Sequence, residues 1–173
     1  MNPEIEQKLR KIERYSNLLR ALCWALFVPV IVLPLAATTS ILAGWTAHIA
    51  YDGQTFVPSE MALSSRLLLA VVMMATGAVA IKGLSHLRRL LGNYSRREIF
   101  TSDSARQIRQ FGITCVLWSF VKLAGALVPL AMVHGPHSVS FSGDTFFIGL
   151  VIIGLSWFAE MAAALREEND LTI

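Results

Sequence analysis

Residues 145–165 read TFFIGLVIIGLSWFAEMAAAL, and one ionisable side chain, Glu160, interrupts an otherwise apolar run. A helix of this length crosses about 30 Å of hydrocarbon. Three more blocks of similar length and character lie upstream, at 22–45, 63–84 and 111–133. The chain has 173 residues, 54% of them hydrophobic and 16% charged, and the charged share falls well below the roughly 25% usual for soluble domains. One soluble core of this size could not hide so much apolar surface. Continuous blocks this long are not barrel strands, which leaves helices as the spanning structure. The expected architecture is all-α: a single four-span membrane domain over 1–173, an integral four-helix bundle.

The formal net charge of +3 is placed, not spread. Lys8, Arg10, Lys11, Arg14 and Arg20 precede the first block. Lys82, Arg88, Arg89, Arg96, Arg97, Arg106 and Arg109 lie around the connection between the second and third. The connections 46–62 and 134–144 contain no Lys or Arg. Under the positive-inside rule both termini and the middle connection are cytoplasmic. This distribution serves topology and lipid headgroups and argues against direct nucleic-acid binding. Cys23 and Cys115 fall near the cytoplasmic ends of their blocks, where disulfides are rare.

Several local features follow in chain order. Residues 3–20 place Ile5, Leu9, Ile12 and Leu19 on one stripe beside Lys8, Lys11 and Arg14. They predict a short amphipathic helix, lying in the headgroup layer or extending the first span. Pro29 and Pro34 predict a bend in that span. Asp52-Gly53 marks a turn. Arg66 is expected to snorkel outward or to meet Glu60 or Asp144. Thr101 or Ser102 is suited to cap a juxtamembrane helix that leads into the third span. His48, His134, His137 and Asp144 match no zinc spacing, so neither metal nor other cofactor is expected.

Lys122 sits in the middle of the third block, where a lysine costs roughly 2.5–3.5 kcal/mol on insertion scales. It shares a small or polar seam with Cys115, Ser119, Ala126 and Pro129. The last block shows a matching seam of Gly149, Ser156, Glu160 and Ala163. Small residues let membrane helices approach closely, so these seams are expected to face each other. The two side chains lean towards one another in antiparallel helices. The expectation is a buried polar seam of Lys122, Glu160, Ser119 and Ser156, with Lys122 and Glu160 paired directly or through water.

Two stretches carry a resemblance. Glu98-Ile99-Phe100-Thr101 continues through Ala105-Arg106 to Phe111-Gly112, and Phe158-Ala159-Glu160 continues to the ending Glu168-Asn169-Asp170-Leu171-Thr172-Ile173. Together with the hydropathy profile, they resemble the bacterial membrane family called domain of unknown function 2975. The resemblance implies a multi-pass protein of the bacterial cytoplasmic membrane with no assigned reaction. It marks Phe100, Arg106 and Gly112 in the first motif, and Glu160, Glu168, Asn169, Asp170, Leu171 and Thr172 in the second. It also implies a regulatory pairing with a small helix-turn-helix transcription regulator.

The leading functional expectation is a regulatory or interaction protein. Its cytoplasmic face (1–20, 85–110 and 166–173) would bind a soluble protein partner. The alternative is a small transporter, channel or immunity-type protein using the Lys122/Glu160 seam. With so few spans this alternative requires a homo-oligomer. An enzyme is least expected, since the chain has no nucleophile motif, ligand cluster, glycine-rich phosphate loop or intramembrane acid dyad.

Overall fold

The computed structural model describes residues 3–46, 48–51, 54–96, 101–132 and 142–171. Four long helices carry the chain: α1 (Pro3–Ala43), α2 (Leu63–Ser95), α3 (Ser102–Met132) and α4 (Gly143–Leu171). Between α1 and α2 lie a short antiparallel pair, β1 (Ile49–Tyr51) and β2 (Gln54–Phe56), and one 3-10 turn at Pro58–Glu60. The Asp52-Gly53 turn falls outside the described residues.

Among the described residues, three helices contain a stretch long and apolar enough to cross a membrane: Lys11–Ala43, Leu63–Ser95 and Gly143–Glu168. The sequence predicts four. The fourth predicted block, 111–133, falls on α3 as far as Met132 and carries one charged side chain, Lys122. The predicted amphipathic helix is not separate, because the backbone runs unbroken from Pro3 into the first span. The juxtamembrane segment is likewise divided. Its first part continues α2 to Ser95, and its second part is the opening of α3.

Each helix packs antiparallel on the next in sequence, and α1 and α4 make no comparable contact among the described residues. Arg66 lies against Gly44, Gly77 against Pro34, and Arg88 over Trp24, so α2 rises as α1 descends. Gly77 allows the approach, since a Cβ there would come within 2.9 Å of the Pro34 ring. Pro29 and Pro34 sit inside α1, and Thr38 donates back to the Pro34 carbonyl at 2.7 Å. The helices enclose an apolar cleft of about 330 Å³, to which α1, α2, α3 and α4 all contribute side chains.

Polar side chains share the interior with apolar ones, and large apolar side chains cover much of the exterior. Ser104, Gln107, Thr114, Ser119 and Ser156 are buried, while Leu33, Val71, Phe147, Val151 and Phe158 point outward. Water would penalise that arrangement, and lipid favours it. The buried hydroxyls are satisfied within their own helices: Thr114 donates to Gln110, Ser156 to Ile153, and Ser119 to Cys115.

The end of α1 has its own physical cause. Gly44 adopts φ +66°, and the N–H groups of Gly44 and Trp45 donate to Ile41 and Ser40, closing a Schellman motif. Arg66 lies across this cap and donates to the carbonyls of Met61 and Ser59. These bonds replace the predicted contacts to Glu60 or Asp144. A Gly44→Ala change is expected to lower stability by about 1–2 kcal/mol, since the left-handed conformation disfavours a Cβ and Arg66 must move. Unfolding in detergent would measure it. A loss no larger than that of Gly92→Ala, where a Cβ meets nothing within 4 Å, would contradict the cap.

Candidate functional site

The α3–α4 contact sets the level of every residue in the predicted seam. A Cβ on Gly112 would come within 2.9 Å of the Gly149 carbonyl, and the Ser119 hydroxyl reaches the Ser142 carbonyl at 3.4 Å. Phe120 meets Phe146 edge to face at 6.0 Å between centroids. Small residues recur every seventh position on both helices: Ala105, Gly112, Ser119 and Ala126 on one, Ser142, Gly149, Ser156 and Ala163 on the other. The observed register sets Ser119 beside Ser142 and Gly112 beside Gly149, and it carries Ser156 to the level of Ala105. Ser119, Ser156 and Ala105 are fully buried. Of the expected seam residues, Ser119, Ala126, Gly149, Ser156 and Ala163 are buried, and Glu160 is exposed.

The predicted ion pair does not follow. Lys122 stands near the start of α4, one turn beyond the level of Ser142. Glu160 is exposed and stands level with the first turn of α3. At 1.5 Å per residue the two are on the order of 30 Å apart along the axis. The predicted pairing puts α4 about two seven-residue steps further along α3, with the extended side chains closing the remaining gap. That register also lays small residues on small residues, so the seam alone cannot distinguish the two.

The polar groups gather instead at the end where α1 starts, α2 ends, α3 starts and α4 ends, here called the basic end. A cavity of about 460 Å³ opens there between α1, α2 and α3. Arg20 comes from α1, and Arg88, Arg89 and Arg96 come from α2 and its C-cap. Four guanidiniums against the single carboxylate of Asp103 leave three positive charges in the lining. Arg88 is held over the Trp24 ring, 4.2 Å from its centroid, which fixes the guanidinium by cation–π attraction.

A hydrogen-bonded chain orders the floor of this cavity. Thr101 caps α3, its hydroxyl accepting from the Ser104 N–H at 3.2 Å, as the sequence predicts. The cap fixes Asp103 in the first turn, where the helix dipole favours an acid. Asp103 accepts from the Asn93 amide at 2.8 Å and from the Gln107 amide at 3.5 Å. The carbonyl of Gln107 faces His86 Nδ1 at 2.9 Å. An amide oxygen only accepts, so Nδ1 carries the proton, and the buried Nε2 has no partner among the described residues. Residues 85–93 are thereby tied to 103–107.

The motif residues divide. Gly112 is the α3–α4 contact point, and Arg106 is exposed at the basic end. Phe100 and Thr172 lie outside the described residues. Glu168, Asn169, Asp170 and Leu171 form the last turn of α4. The sequence reading treated Arg20, Arg88, Arg89 and Arg96 as topology signals and passed over Asn93, Gln107 and His86. Arg20 is far from the others in the chain, and no spacing links them. The signals that were available are the Asp103/Gln107 pair, one turn apart on a single face, and the polar Asn93 near the end of α2.

A family model described as "Protein of unknown function (DUF2975)" matches residues 13–173. No curated protein and no solved structure matches the chain. Nearly the whole chain is covered, and it belongs to this family of uncharacterised proteins with membrane helices.

Proposed function

We propose that this member of the DUF2975 family is a membrane-embedded interaction protein. In this reading it is a binding module and not an enzyme. Its basic end faces the cytoplasm and receives a soluble protein partner. One observation carries the reading: the polar chemistry is concentrated and ordered at one end, where Asn93 and His86 of α2 are tied to Asp103 and Gln107 of α3, which Thr101 caps. Arg106 and Arg109 are exposed beside that ordered floor, free of the packing that fixes Ser104 and Gln107. The positive-inside bias supports the orientation. A partner of the helix-turn-helix regulator class is the one the family resemblance implies. The transporter alternative rested on Lys122 and Glu160 acting together, and their separation takes away its support.

Two measurements test the proposal in intact cells. Arg106→Cys should react with a membrane-impermeant thiol reagent only after the membrane is opened. A photo-crosslinking residue at Arg109 should capture a soluble protein that the same residue at Leu150, on the outward apolar face of α4, does not. Labelling of Arg106→Cys in sealed cells would reverse the orientation. Equal capture at both positions, or none at Arg109, would overturn the partner reading.

A further inference from the structure

The arginine cavity lies at a depth where the outside of the molecule is still apolar. Arg88 over Trp24 and Gly77 against Pro34 fix the α1–α2 register, which brings Arg20 level with Gly92. On α1 the neighbours of Arg20 at this level, Leu18, Leu19, Leu22 and Trp24, are all exposed. On α4 the residues level with the start of α3 include Trp157, Phe158 and Met161, again exposed. From Leu18 to Leu42 the outward apolar surface of α1 spans about 36 Å, slightly more than the roughly 30 Å of a hydrocarbon core. Arg20 therefore stands where hydrocarbon gives way to headgroups. Trp24, an aromatic of the kind that settles at this boundary, marks the same depth.

We propose that this cavity binds the phosphate of an anionic phospholipid headgroup from the leaflet at the basic end. The chemistry required is a phosphate mono- or diester with net negative charge, since the choline cation of a zwitterionic headgroup would face the same guanidiniums. Guanidiniums recognise it in bidentate fashion, and Arg20, Arg88, Arg89 and Arg96 surround a space of about 460 Å³ that accommodates such a headgroup. Ser85 and Asn93 add polar groups to the lining. Asp103 is the one carboxylate present, and both its oxygens already accept from Asn93 and Gln107. A soluble phosphate would meet the same arginines. The apolar rim selects the lipid, because the acyl chains of a bound phospholipid would lie along Leu22, Trp24 and their neighbours. Basic pockets at this depth are suited to anionic headgroups in general. The inference rests on the membrane-embedded reading but does not depend on a soluble partner, so either can fail without the other.

The test uses the full chain in zwitterionic nanodiscs, with phosphatidylglycerol, phosphatidylcholine or inorganic phosphate as the added probe and thermal unfolding as the readout. Phosphatidylglycerol should raise the unfolding temperature, and the other two probes should not. Arg88→Gln combined with Arg96→Gln should weaken the phosphatidylglycerol effect on the order of tenfold in lipid concentration. Arg106→Gln combined with Arg109→Gln removes the same charge from exposed positions and should leave the effect intact. Should the cavity double variant fail to fold, Arg20→Gln alone serves, with a smaller weakening expected. An equal response to phosphatidylcholine overturns the site, and an equal response to inorganic phosphate overturns the lipid source. Equal weakening by the two double variants would reduce the cavity to general surface charge.

Discussion

Gly112→Leu should separate α3 from α4. A Cβ at position 112 meets Ile153 Cγ1 at 2.8 Å, the Gly149 carbonyl at 2.9 Å and the Ile153 nitrogen at 3.0 Å. Two of these three atoms are backbone and cannot swing aside. A side chain there forces the helices apart along the seam that buries Ser119, Ser156 and Ala105. Overpacking costs about 1–3 kcal/mol even where side chains can adjust, and here they cannot, so a loss of about 3 kcal/mol is expected. Gly154→Leu provides the contrast on α4. A Cβ there meets nothing within 4 Å, and the higher helix propensity of Leu should make the change neutral or slightly stabilising. Reversible unfolding in detergent measures both. Equal losses at the two positions would mean that the α3–α4 crossing does not lie at Gly112.

The register itself is the second large effect. In a background with Cys23→Ser and Cys115→Ser, the pair Ser119→Cys and Ser142→Cys should oxidise almost completely, since Ser119 Oγ lies 3.4 Å from the Ser142 carbonyl. The pair Ser119→Cys and Ser156→Cys should stay reduced. Ser156 is two seven-residue steps further along α4, about 21 Å from the level of Ser142. Counting free thiols before and after mild oxidation reads the outcome. A link at 119–156 in place of 119–142 would show that α4 occupies another step of the same repeat. In the observed register Lys122→Met and Glu160→Gln should add without interaction, because the two sites share no contact.

Much of the architecture was legible because lipid imposes few choices. Blocks of about twenty apolar residues must be helices, and small residues on one face must meet a neighbour. The Thr101 cap was legible too, since its hydroxyl acts within one turn. The arginine cavity was not. It joins Arg20 to Arg88, Arg89 and Arg96 across helices, and only the α1–α2 register makes them neighbours. The same holds for His86 and Gln107, whose bond depends on how α2 lies on α3.

By itself the sequence determined that α3 and α4 pack through small residues, because the faces follow from helical periodicity and glycine and serine admit close approach. It could not determine which step of the repeat is used. A pattern that returns every seventh residue matches itself after each shift, and one lysine and one glutamate were enough to suggest the wrong step. The tertiary structure decided it, with Gly112 on Gly149 and Ser119 on Ser142, because backbone contact at a glycine crossing tolerates one alignment at a time. That alignment leaves Lys122 and Glu160 far apart and puts the chemistry of the molecule among the arginines at its basic end.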